Sequence, residues 1–93
     1  MKNKDLGIRI VSNNTIVNEN DVLIVCDSTE AFTIKLNKAS GSSQVFFIKN
    51  IGSGEVTITP DCSDYIDYSI AISLNQWDCA CIVDYTNGKW VKL

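Results

Sequence analysis

Residues 32–60, FTIKLNKASGSSQVFFIKNIGSGEVTITP, carry the clearest patterning in the chain. Phe32, Ile34 and Leu36 alternate with Thr33, Lys35 and Asn37, and Val56 and Ile58 alternate with Glu55, Thr57 and Thr59. A period of two puts successive side chains on opposite faces of a strand, so 32–37 and 55–59 read as strands with one wet face each. The segment between them, 44–51, departs from this pattern. Val45 and Phe47 fall on one face, while Phe46 and Ile48 fall on the other. A strand apolar on both faces has to be covered twice, by a second sheet, by barrel closure or by another copy of the chain.

The remaining segments follow the same logic. Residues 22–27 form a dense β-branched run with Val22, Ile24 and Cys26 opposite Leu23 and Val25, again apolar on both faces. Residues 7–12 alternate weakly through Ile8, Ile10 and Val11, as an edge strand would, and Asn13-Asn14 and 18–21 supply turn chemistry around a short run at 15–17. Residues 61–68, DCSDYIDY, read as a loop containing a short strand. Residues 69–74 alternate through Ile70, Ile72 and Leu74, and 78–85 set Cys79, Cys81 and Val83 opposite Ala80 and Ile82. Asn87-Gly88 between that run and 89–93 is a strong hairpin signal, because both central turn positions favour positive φ. No 3.6-residue period persists for three turns. The pattern predicts an all-β chain, a small β-sandwich or barrel-like domain of about eight or nine short, mostly antiparallel strands. Residues 1–6 are expected to be a flexible lead or attachment peptide, and 7–93 a single β-domain.

Charge narrows the partners. Eight Lys+Arg against 11 Asp+Glu leave a net charge of -3, with no basic field to hold a phosphate backbone, so no nucleic-acid partner is expected. Apolar runs stop at four or five residues, which argues against membrane insertion or a secretory signal and for folding in a cytosol. In that compartment Cys26, Cys62, Cys79 and Cys81 read as reduced, buried thiols. Cys79 and Cys81 are spaced C-x-C rather than C-x₂-C, and there is no histidine to complete a mixed metal site.

The absence of histidine also removes Ser-His or Cys-His nucleophilic catalysis. Asp61, Asp64 and Asp67 recur at three-residue spacing beside Tyr65 and Tyr68, a set that two facing carboxylates could turn to acid/base work or to holding a hard cation. A solvated acidic loop is the simpler reading. No enzyme activity, cofactor or metal is expected. Gly52-Ser53-Gly54 is a turn, since a strand rather than a helix follows it. Trp77, Trp90, Tyr65, Tyr68 and Tyr85 are the aromatics that could stack on sugar rings or pack in core or subunit contacts; of these Trp77, Tyr65 and Tyr68, with Asp67, are the candidate ligand or glycan surface, and Val22, Ile24, Val45, Phe46, Phe47 and Ile48 the candidate core or subunit interface.

Taken in order, Val25-Cys26-Asp27, FTIKL at 32–36, Ala39-Ser40-Gly41, IKNIGSG at 48–54, VTITP at 56–60, Ile66-Asp67 and TNGKW at 86–90 resemble a short β-rich module of tailed-bacteriophage fibre, spike and baseplate proteins. The likeness spans about 14–93. Tyr68 stands where that module usually has glycine, Asn37 where proline is common, and Cys62, Cys79 and Cys81 lie outside its pattern. The resemblance implies a homotrimer with strands packed about one axis, which would account for the doubly apolar strands. It also implies a virion protein made in the host bacterial cytoplasm: a non-enzymatic fibre, head-fibre or spike module on capsid or tail that contributes to host attachment. A lectin-like module binding a bacterial surface glycan and a capsid decoration protein are the alternatives.

Overall fold

The computed structural model describes residues 7–93; the expected lead peptide, 1–6, lies outside the described residues. Ten strands follow one another: β1 (Ile8–Val11), β2 (Thr15–Ile16), β3 (Leu23–Cys26), β4 (Phe32–Lys35), β5 (Val45–Asn50), β6 (Val56–Thr59), β7 (Tyr65–Ile66), β8 (Ile72–Leu74), β9 (Cys79–Thr86) and β10 (Lys89–Lys92). They form two sheets, ordered β1-β3-β5-β9-β10-β7 and β2-β4-β6-β8, over one apolar core in a molecule 34 × 32 × 20 Å. The described residues contain no helix, and the chain is all-β.

The strand directions differ from expectation. The first six strands alternate between the two sheets, so β1/β3, β3/β5, β2/β4 and β4/β6 pair in parallel, and β7 joins β10 in parallel. Only β5/β9, β9/β10 and β6/β8 are antiparallel. Period-two alternation specifies which side chains face inward, and it is identical for a hairpin and for an arch that crosses to the opposite sheet. The connections decide between the two. The 27–31 and 51–55 arches stack on each other, with the Gly54 N–H donating to the Ser28 carbonyl at 2.9 Å and the Ile51 N–H to Cys26 at 2.9 Å. A Cβ at Gly52 would run into the Ser28 backbone and one at Gly54 into that of Glu30, so Gly-Ser-Gly is what lets the arches touch.

Register then places like beside like. Ile24 pairs with Ile48 and Ile34 with Ile58, so each inner face is a continuous apolar strip. Ile24, Cys26, Phe46, Ile48, Ala80, Ile82 and Trp90 from one sheet meet Phe32, Ile34, Val56, Ile58 and Leu74 from the other. Phe46 and Trp90 touch edge to face, with centroids 5.6 Å apart at 77°. At the open edge, Arg9 grips Asp21 through two hydrogen bonds of 2.7 and 3.1 Å and closes the gap between β1 and the loop before β3. The Asn87-Gly88 hairpin is present, but only Gly88 takes positive φ (80°), and an irregularity between Lys89 and Trp90 absorbs the register offset that a second positive-φ residue would have avoided.

Candidate functional site

The two sheets differ on their outer faces. The four-stranded sheet presents Thr33, Lys35, Thr57, Thr59 and Ser73 outward, with Ile16 the apolar exception. The six-stranded sheet presents the opposite. Ile8, Leu23, Phe47 and Cys81 form one row across four strands, Ile10, Val25, Lys49 and Cys79 the next, and Val45, Val83 and Val91 a third. Ile10 is 74% exposed and Phe47 43%, values unusual for side chains placed side by side on a sheet. The single charge in these rows, Lys49, donates its ammonium to the Trp77 carbonyl at 2.7 Å. A shallow depression lined by Ile8, Val22, Leu23, Val25, Phe47, Lys49 and Cys79 marks the centre of this face.

The six residues named for core or interface therefore divide. Ile24, Phe46 and Ile48 are fully buried between the sheets, whereas Val22, Val45 and Phe47 are exposed on the outer side. β5 is apolar on both faces, as its sequence predicts, and within the single chain only one of them is covered.

The candidate ligand surface also divides. Trp77, at φ 76°, precedes the start of β9 and is tied to β5 through its N–H on the Asn50 carbonyl. Tyr65 pairs with Lys89, which pairs with Thr86 at the far end of β9. Eight residues of strand separate the two ends, roughly 25 Å, so Trp77 cannot share one small ligand with Tyr65, Tyr68 and Asp67. Asp67 and Tyr68 instead line a groove of about 350 Å³ with Tyr85, Lys89, Trp90 and Val91. Tyr85 and Trp90 are among the aromatics the sequence offers for stacking, whereas Lys89 and Val91 carry no such signal. Their place is set by the parallel β7/β10 pairing, for which the sequence carries no signal.

The three spaced acids do not converge. Asp61 lies 3.6 Å from the Lys35 ammonium. Asp64 is buried and accepts the Ala39 N–H at 2.9 Å, and Asp67 accepts the Lys92 N–H at 3.1 Å. Among the described residues, no group of three or more His, Cys, Asp or Glu could hold a metal ion. A fourth acid, not singled out in the sequence, is the most heavily engaged. Asp84 is buried on the inner side of β9 and accepts the N–H groups of Ser40, Gly41 and Ser42 at 2.8–3.1 Å and the Ser42 hydroxyl at 2.7 Å. Burial pushes its pKa up, but the Ser42 hydroxyl and the three N–H groups outweigh that and hold it below the ordinary carboxylate value. The cluster resembles an anion-binding nest whose anion is the chain's own carboxylate.

The expectation of four buried thiols is corrected. All four cysteines are free, yet only Cys26 is buried, its pKa raised to about 11 by burial. Cys62 and Cys79 are exposed and Cys81 is half-buried, because the loop at 61–64 and the outer face of β9 leave them uncovered. Comparison of the chain with protein-family models, with curated proteins and with solved structures finds no match.

Proposed function

We propose that this chain is a non-enzymatic structural module of a bacteriophage particle, assembled as a homotrimer through the outer face of its six-stranded sheet. The observation that carries the reading is the contrast between the two outer faces: hydroxyls and a lysine on one sheet, and three aligned apolar rows on the other. Five strands about 4.8 Å apart and four to eight residues long give this face on the order of 400–500 Å² in plan, before side-chain relief is added. A partner in a standard interface contributes about 800 Å² of accessible surface, so the face is of a size to be buried against neighbours. Its composition also suits a meeting of identical faces. The rows carry one charged side chain, Lys49, whose ammonium is turned onto the Trp77 carbonyl, and apolar side chains and two cysteines make up the rest. The resemblance of residues 14–93 to a phage fibre and spike module supplies the trimer and the setting. The separate commitments of Asp61, Asp64 and Asp67 favour a structural over a hydrolytic role.

Light scattering on the purified protein tests the assembly. The expected mass is three times that of the 10.3 kDa chain, with and without reductant; a monomer overturns the reading. Antibodies to the chain, applied to phage particles released from cells that express it, should decorate capsids or tails. Unlabelled particles would overturn the virion assignment even if the trimer stands.

A further inference from the structure

We propose that the groove between Tyr68 and Tyr85 is a saccharide-binding site that takes one or two neutral pyranose rings. It lies at the β7 end of the six-stranded sheet, sharing only Val91 with the apolar rows, and it goes beyond the assembly reading without depending on it. Its volume, about 350 Å³, is at the small end of ligand pockets and suits a mono- or disaccharide. Its walls are aromatic and open. Tyr68 is 91% exposed at the tip of the tight turn closed by mutual hydrogen bonds between Ile66 and Ser69, and Tyr85 is 66% exposed on β9. Exposed phenol rings on an ordered backbone offer an apolar face for the C–H side of a pyranose and a hydroxyl at the rim.

Polar groups stand where the ring's hydroxyls would point. Asp67, at φ 57°, is fixed by two hydrogen bonds: its N–H donates to the Trp90 carbonyl at 2.8 Å, and its Oδ1 accepts the Lys92 N–H at 3.1 Å. Among the described residues, nothing engages its Oδ2 or the Lys89 ammonium. A carboxylate oxygen and an ammonium on one rim accept from and donate to adjacent hydroxyls. Their charges cancel, so the groove favours a neutral sugar over a sugar acid. The backbone beneath is already ordered by the β7/β10 ladder, which lowers the cost of arranging these groups for a ligand.

Saturation-transfer NMR of the intact chain against maltose, lactose, cellobiose and N-acetylglucosamine, with glucuronic acid as the charged control, tests the proposal. At least one neutral sugar should bind saturably, with a Kd of about 1 mM or tighter. Tyr68→Ala and Tyr85→Ala should each weaken it about tenfold, and Asp67→Asn, which keeps both the left-handed backbone and the Oδ1 acceptor, by a similar factor. Trp77→Ala should leave binding unchanged. No saturable neutral sugar up to about 10 mM, where a 1 mM site would be ~90% filled, overturns the proposal, as do preference for glucuronic acid, survival of binding in the Tyr68→Ala/Tyr85→Ala double variant, or loss of binding in Trp77→Ala. Solution mass, read on the same samples, separates this outcome from failure of the trimer.

Discussion

A carboxylate buried in an apolar sheet is tolerated only when its charge is answered, and Asp84 is answered by three N–H groups and two hydroxyls from 40–42. Asp84→Asn puts an amide donor against N–H and O–H groups, so stability should fall by about 2 kcal/mol or more in urea denaturation. A loss under about 0.5 kcal/mol would mean that the loop relaxes freely. Because the folded-state pKa lies below the unfolded value, this contribution is fully present above the ordinary carboxylate pKa of about 3.9. It is lost as pH falls through the lower folded value, and Asp84→Asn should flatten that acid limb. The thiols sort by the same physics of burial. Cys62, outside the apolar rows, should react with iodoacetamide in the native protein, while Cys26, with its pKa raised to about 11, should react only on unfolding, as mass spectrometry of the labelled peptides would show.

Among elements, the stacked arches carry the fold's distinctive step. Asn50, fully buried at the end of β5, donates to the Gly54 and Leu74 carbonyls at 2.9 and 3.0 Å and accepts the Gly52 N–H at 3.0 Å, so one amide ties the 51–55 arch to β8. Gly54→Ala forces a methyl into the Glu30 backbone. It should cost about 3 kcal/mol and lower the denaturation midpoint, while Ser53→Ala, between the two glycines, should change stability by less than about 0.5 kcal/mol. Equal losses at both positions would show that the arches do not meet there. The patterning of 32–37, 44–51 and 55–59 made these strands readable, and the inward set of Phe32, Ile34, Phe46, Ile48, Val56 and Ile58 follows from it directly. Their partners were not readable. An arch and a hairpin bury the same alternate side chains, and only contact between loops distant in sequence selects one of them.

For the whole molecule, the outer face of the six-stranded sheet sets the expected behaviour. Phe47→Glu places a charge in the middle row, opposite Leu23 and Cys81, and should turn the proposed trimer into a folded monomer with unchanged far-UV circular dichroism. The proposed assembly should withstand about 1 M salt, where the Debye length is ~3 Å, because its rows are apolar apart from Lys49. A trimer that survives Phe47→Glu would place the contact on another surface. The sequence by itself determined the all-β class, the inward side chains, the closing hairpin and the double apolarity of β5, since these depend on period, propensity and turn chemistry within a few residues. Tertiary structure alone decided that the first six strands run in parallel through stacked arches, that Asp84 is caged by a loop some forty residues upstream, and that Trp77 stands apart from the Tyr68–Tyr85 groove. Each of these is settled by backbone contacts between segments far apart in the chain, and a local pattern of polar and apolar residues does not encode which distant segment will meet it.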